Sequence, residues 1–221
     1  MDFIKQLFLS RFKIFTLVSV SILFSIILLL IRMKLTHNFF YLFLVWNLFL
    51  AVIPFAISTY LVSLSKLNTL WLVLCFGVWL LFLPNAPYII TDLLHLKISP
   101  THLLWLDILV VLSFALNGLL LFYLSIIDIK SVLRTFLSKK KVNYVITTIF
   151  FLTGFGVYLG RFLRYNSWEI INHPKYLIVD ILDIAIKPIA HQEAWLFTIL
   201  FGTFLSLSFW VFNHLYAKPS T

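Results

Sequence analysis

Charge is scarce in this chain, and negative charge scarcest: 11% of its 221 residues are charged, with eight acidic side chains against seventeen Lys and Arg. Soluble domains carry about 25% charged and about 45–50% apolar residues, whereas 62% of this chain is hydrophobic. A water-soluble fold of this length has no interior large enough for that much apolar surface, so composition excludes one. The single cysteine, Cys75, excludes an intramolecular disulfide and a cysteine-cluster metal site. It stands in an apolar run and reads as a small buried side chain. The chain has no low-complexity linker and no evident internal repeat, so one membrane domain over residues 1–221 is expected. It also lacks H-E-x-x-H, G-x-S-x-G and a phosphate loop.

What the chain has in abundance is long apolar runs. They lie at 14–31, 39–63, 67–83, 103–127, 144–160 and 194–215. A spanning helix takes about 20 residues, with about 17 as the lower bound, so the fold class expected is an all-α polytopic bundle of about six spans. The basic flank Lys5, Arg11 and Lys13 precedes the first run. That run is longer than a signal-peptide core, and no A-x-A-like cleavage site follows it, so it reads as a permanent anchor. With the N-terminus inside, Lys5, Arg11, Lys13, Lys66, Lys130, Arg134, Lys139, Lys140, Lys141 and Lys218 fall on the cytoplasmic side. The remaining seven basic residues, Arg32 among them, fall outside, and this bias predicts cytoplasmic termini. The formal net charge of +9 is read as contact with anionic headgroups. Without a recognition module, no nucleic-acid partner is expected.

Polar residues cluster between the runs. In "LFLPNAPYIITDLLHL", Leu81–Leu96, Pro84 should stop the third helix near Leu83, and Asn85 before Pro87 should start a new turn. Tyr88 to Leu96 is expected as a short helix at the outer interface, and Ser99-Pro100 as the cap and first residue of the fourth span. The stretch 128–143 reads either as a cytoplasmic interfacial helix or as a plain extension of the fourth helix. In "NSWE", Asn166 stands three residues before Glu169, an asparagine capping box. "YLIVDILDIAIKPIA" is expected to lie on the outer leaflet as an amphipathic helix.

An ionisable residue in a membrane span costs about 2.5–3.5 kcal/mol on insertion scales and seeks a partner or a cavity. Asp107 is such a residue, about 10 Å along its helix if that helix starts near Pro100. Arg161 and Arg164, three apart, are expected to share a helix face at the same depth and to pair with it. Asp92 and His95 are likewise three apart, a carboxylate–histidine pair suited to acid/base work. The expected site at the outer face therefore holds Asp92 and His95 as a catalytic pair, with Asn85, Asp107, Arg161, Arg164, Asn166 and Glu169 binding. No metal or other cofactor is expected. Asn47 and Asn117 read as interhelical hydrogen-bond glue. Asp92 and His95, on a proline-delimited segment, are expected to carry few packing contacts.

The segments "LFLPNAPYIITDLLHL" and "GVYLGRFLRYNSWEI", Gly156–Ile170, resemble the bacterial membrane family catalogued as domain of unknown function 1361, over nearly the whole chain. The resemblance implies a polytopic protein of the bacterial cytoplasmic membrane, and it carries no catalytic residue across. The residues themselves leave two classes of function open. In the first, the outer site binds or processes an anionic lipid or cell-envelope substrate, since paired arginines suit phosphate or carboxylate. In the second, Asn47, Asp107 and Asn117 line the path of a small transporter or channel. A noncatalytic assembly subunit is a third reading. Membrane lipids are the expected partners in each case, with the oligomeric state open.

Overall fold

The computed structural model describes residues 9, 11–64, 68–99, 101–165, 167 and 174–216. No strand occurs among them. The helices are α1 Phe12–Thr36, α2 Phe43–Ser63, α3 Thr69–Phe82, the single turn α4 Asn85–Tyr88, α5 Leu104–Leu133, α6 Lys139–Arg161, α7 Pro174–Ile186 and α8 Gln192–Tyr216. Tighter 3₁₀ turns cover Phe40–Leu42, Ile89–Ile98 and Thr101–Leu103. Among the described residues, six helical stretches are long and apolar enough to cross a membrane. Large side chains such as Leu17, Phe24, Trp46, Trp71, Leu116, Leu196 and Trp210 stand exposed on them. In water such continuous apolar surface would drive association; in a bilayer it meets lipid. The protein is a multi-pass, all-α membrane protein. Its contacts divide it into two compact units, Met1–Ile129 and Lys130–Thr221.

In the first unit α1 offers one narrow buried stripe. Arg11, Val18, Ser25 and Arg32 recur every seven residues; Val18, Ser25 and Arg32 are buried. On α5, Asp107, Phe114, Leu121 and Asp128 repeat the same spacing, and all four are buried. A seven-residue repeat keeps one seam facing a partner helix. Both seams end in charge, and the pairing is antiparallel. Arg11 grips Asp128 with two bonds, Nη1 to Oδ2 at 2.6 Å and Nη2 to Oδ1 at 2.7 Å. At the other end Arg32 Nε donates to Asp107 Oδ1 at 2.9 Å. Between them Asn117 Nδ2 lies 2.9 Å from Ser25 Oγ and 3.2 Å from the Ser21 carbonyl. The two arginines, like the two aspartates, are 21 positions apart. At 1.5 Å per residue that is about 31 Å, close to the ~30 Å hydrocarbon thickness of a bilayer.

The other helices are tied to α5 by fewer polar bonds. Trp79 Nε1 of α3 donates to Ser125 Oγ at 2.7 Å, and that hydroxyl donates to the Pro54 carbonyl of α2 at 3.1 Å. The expected break after α3 falls at Pro84, and the Pro-Asn-Ala-Pro turn that follows is buried at Ala86 and Pro87. Ala86 presses its carbonyl onto α5 at Gly118, where a β-carbon would collide with that oxygen. The segment after it forms 3₁₀ turns, not an α-helix. At the other end of α5 the 128–143 stretch resolves to the plain extension: the helix continues to Leu133. Ile129 and Val132 are buried there, and after the turn at 134–138 the next helix already begins at Lys139, so no separate interfacial helix forms.

In the second unit α6 and α8 run antiparallel through small residues. A β-carbon on Gly154 would lie 3.0 Å from the Thr198 carbonyl, and one on Gly202 would lie 3.0 Å from the Phe151 Cα. Lipid offers no hydrophobic drive between helices, so close backbone approach through small residues supplies the packing. The stretch expected to be amphipathic forms α7, which buries Leu177 and Ile184.

Glycine supplies a two-sided test of this packing. Gly77 on α3 has nothing within 4 Å of where its β-carbon would stand. Gly77→Ala should therefore raise stability by about 0.5–1 kcal/mol, the helix-interior difference between the two residues. Gly118→Ala should lower it, because Ala86 would have to be pushed off α5. Thermal melts in one detergent check both; a stabilised Gly118→Ala would mean that the Ala86 turn does not rest on α5.

Candidate functional site

The site is built at the end of the first unit where α1 finishes. His37 takes a left-handed conformation, φ 49°, and closes the helix; histidine tolerates that region better than most side chains. Asn38 then folds back locally, its Oδ1 accepting from the Phe40 amide at 2.8 Å. This turn aims the Asn38 carbonyl at Arg32 Nη1, 3.1 Å away. It also brings Tyr41 under the guanidinium, whose carbon lies 4.7 Å from the ring centroid. Tyr41 Oη in turn lies 2.8 Å from Ser99 Oγ.

Arg32 is 4% exposed and Asp107 is fully buried. A charge pair buried this deeply holds only when each partner's remaining groups are satisfied. The count is incomplete on both sides. Asp107 Oδ2 has no hydrogen-bond partner among the described residues. The guanidinium offers five N–H groups, of which Asp107 and the Asn38 carbonyl take two. Above it opens a cavity of ≈ 450 Å³ lined by Arg32, Asn38, Phe40, Tyr41, Ser99 and His102, with Leu35, Thr36 and Leu103 closing the sides. That volume is in the range of small-molecule sites, which combine apolar walls with a few placed polar groups.

A second polar cluster adjoins this cavity. Asp92 is 1% exposed, and its Oδ2 accepts from Asn47 Nδ2 of α2 at 2.9 Å. The 3₁₀ turns place His95 directly over it, as residues three apart eclipse in that helix. Their closest approach, His95 Nε2 to Asp92 Oδ1, is 3.9 Å, too long for a hydrogen bond. His95 packs edge-on against Phe40 and tilted against Phe43, at 5.7 and 5.0 Å between ring centroids. Phe40 also lines the cavity, so it joins the histidine to the arginine site.

Several expectations are corrected here. Asp107 takes its counter-charge from Arg32, not from Arg161 or Arg164. The reason is depth: Arg32 stands four residues before the end of α1, and Asp107 is in the first turn of α5. Nor do Arg161 and Arg164 share a helix face. Arg161 closes α6, after which the chain leaves the helix and Arg164 is exposed with φ 61°. Asp92 is not a solvated, loosely packed residue; the proline turn folds its segment against α2. Asn85 donates Nδ2 to the Phe82 carbonyl at 2.8 Å, which caps the end of α3. Asn166 and Glu169 lie outside the described residues. Asn85, Asp92, His95 and Asp107 belong to the first unit and Arg161 and Arg164 to the second. Residues the sequence reading did not single out, Arg32 and Tyr41, carry the cavity. The signal for Arg32 was present: it stands inside the apolar run "LLLIRMKL" with a charge that needs a partner. Among the described residues, no three or more His, Cys, Asp or Glu side chains gather to hold a metal ion.

The Arg32–Asp107 assignment is testable by a double-mutant cycle. Removing one member of a buried pair typically costs about 3–5 kcal/mol, whereas a well-packed apolar replacement of both is often neutral. Asp107→Asn and Arg32→Met should each lower the melting temperature in detergent sharply. Arg32→Met with Asp107→Leu should recover a large part of the loss. Simple addition of the two losses would show that the residues do not pair.

Comparison with known proteins places the chain in a family. The family model described as protein of unknown function (DUF1361) matches residues 46–208. No curated protein and no solved structure matches the chain. The match takes in α3, the Pro-Asn-Ala-Pro turn, the Asp92–His95 segment and Asp107, and the chain belongs to that family of multi-pass membrane proteins.

Proposed function

We propose that the Arg32 cavity binds the anionic headgroup of a lipid or cell-envelope precursor at the outer face of a bacterial cytoplasmic membrane. One observation carries the reading: a nearly buried guanidinium, held in place by Asp107, the Asn38 carbonyl and Tyr41, presents its unused N–H groups to a cavity of ≈ 450 Å³. Arginine fixed in this way can take a phosphate or carboxylate in a two-bond grip. The headgroup would sit in the cavity with its chains against the exposed apolar sides of α1 and α2. Asp107 holds the arginine in position and leaves the pair formally neutral, so the bound anion is attracted mainly by directed hydrogen bonds. His95 packs on Phe40 at the cavity wall and on Phe43 beside it; the 3.9 Å gap to Asp92 and the burial of Asp92 support a positioning role over proton transfer. The transporter reading loses support at Asn47 and Asn117, whose amide N–H groups are engaged by Asp92 and by Ser21, Ser25 and Ser113.

Orientation rests on the excess of Lys and Arg assigned to the inner side. With Cys75 replaced by serine, a cysteine at the exposed Lys97 should react with a membrane-impermeant thiol reagent in intact cells. A cysteine at Lys140 should react only after lysis. The opposite pattern would put the cavity on the cytoplasmic side.

The binding claim calls for variants that spare the ion pair. Leu103→Trp fills the cavity from its wall and leaves Arg32 and Asp107 untouched. Hydrogen bonds to charged groups are worth about 1.5–3 kcal/mol, and 1.4 kcal/mol is tenfold in affinity. Leu103→Trp should thus weaken binding of an anionic lipid, read by native mass spectrometry, by about tenfold or more while the melting temperature stays near that of the parent. Arg32→Lys should fall between the two. Unchanged retention of phosphatidylglycerol in Leu103→Trp would contradict a headgroup in this cavity.

A further inference from the structure

The second unit carries a cavity of a different kind. Between α6 and α8 a groove of ≈ 510 Å³ is lined by Tyr158, Phe162, Phe197, Phe201 and Phe204, with Leu196, Leu200 and Glu193 at its edges. Its origin is in the helix crossing. The backbones touch at Gly154, Thr198 and Gly202, where no side chain keeps them apart. Toward the start of α8 the residues become large, and the rings separate the helices. Phe197 stacks on Phe201 at 5.1 Å between ring centroids, and Phe162 meets Phe197 edge-on at 5.3 Å. Tyr158 stacks on Phe162 at 5.0 Å. The rings brace one another in an aromatic floor whose one polar atom is the Tyr158 hydroxyl.

Glu193 interrupts that surface. It is in the first turn of α8, at the mouth of the groove, exposed, and without a hydrogen bond or ion pair among the described residues. An acidic residue there adds favourably to the α8 dipole, but that alone does not explain an aromatic groove leading away from it. Position decides the occupant. The groove lies in helices that cross the membrane, so what fills it comes from the bilayer, and a carboxylate at the headgroup end selects for a hydrogen-bond donor or positive charge.

We infer that this groove seats one hydrocarbon chain of a membrane lipid whose headgroup amine is held by Glu193. The selection is opposite in sign to that of the Arg32 cavity and does not depend on it. The amine–carboxylate contact, at a partly dry interface, supplies headgroup preference. The ring floor supplies shape: a flexible chain lies along stacked faces, whereas a rigid partner helix needs small residues in its path. Leu196, Leu200 and Phe204 are exposed along the groove and would close over the chain.

The full-length protein, reconstituted in vesicles, should be irradiated with phosphatidylethanolamine bearing a photoactivatable acyl chain, and in parallel with phosphatidylglycerol bearing the same chain. Labelled peptides should concentrate at 158–162 and 197–204, several-fold more with the ethanolamine lipid. Glu193→Gln should abolish that preference while leaving the labelled positions in place. Leu200→Trp, filling the groove from its exposed rim, should suppress labelling by both lipids. Equal labelling by the two lipids in the parent protein would overturn the amine assignment. Label spread evenly to the side of α8 turned away from the groove, at the exposed Trp195 and Ile199, would overturn the groove itself. So would efficient disulfide formation between copies carrying Leu200→Cys in the Cys75→Ser background, which would identify the occupant as a second copy of the chain.

Discussion

A charge that enters the hydrocarbon layer must meet its opposite at the same depth, and the first unit is organised around meeting that condition twice. Arg11 at the N-cap of α1 and Arg32 on that helix meet Asp128 and Asp107 on α5, with equal 21-residue intervals on the two antiparallel segments. One pair alone would allow the helices to rotate or slide past each other. Two pairs about 31 Å apart fix both register and length. A one-residue slip of α1 would separate both pairs and move Ser25 away from Asn117. In lipid, where apolar side chains gain little by choosing each other over the acyl chains, such polar contacts supply the specificity that a hydrophobic core supplies in water.

The two staples are not equivalent. Asp128 has both oxygens on Arg11, with Ser58 and Thr59 hydroxyls 3.4 and 3.3 Å from Oδ2. The Arg32 staple is looser: a single bond to Asp107, one carboxylate oxygen without a partner, and a cavity against the guanidinium. The saturated end holds the helices, and the unsaturated end retains the hydrogen-bonding capacity that a ligand would use.

How much of this could be read from the chain differs from element to element. The spans were legible because apolar runs about 20 residues long have a single explanation; α2 ends with its expected run at Ser63 and starts four residues later, and α8 overruns its expected run by one or two residues at each end. The need of Asp107 for a cation was legible too, from the cost of burying it. Its partner was not, because depth had to be judged from run boundaries. Arg32 was counted as a flank when its run was closed at Ile31, although α1 continues to Thr36. Arg164 was misjudged for the opposite reason: helical spacing was carried past Arg161, where the helix ends. The burial of Asp92 was invisible because nothing in "PNAPYIITDLLHL" states which way a proline turn will fold. That direction depends on Gly118 admitting the Ala86 carbonyl, 32 positions away in sequence. Such long-range steric matches have no local signature.

The central claim is that Arg32 is shared between Asp107 and an anion from the bilayer. The most direct measurement is solid-state NMR recoupling of phosphorus to arginine side-chain nitrogen, on ¹⁵N-arginine protein reconstituted in phospholipid. The account predicts dephasing of a guanidinium signal that is absent in Arg32→Lys. A phosphorus contact confined to the exposed arginines, with the Arg32 signal unchanged, would contradict it.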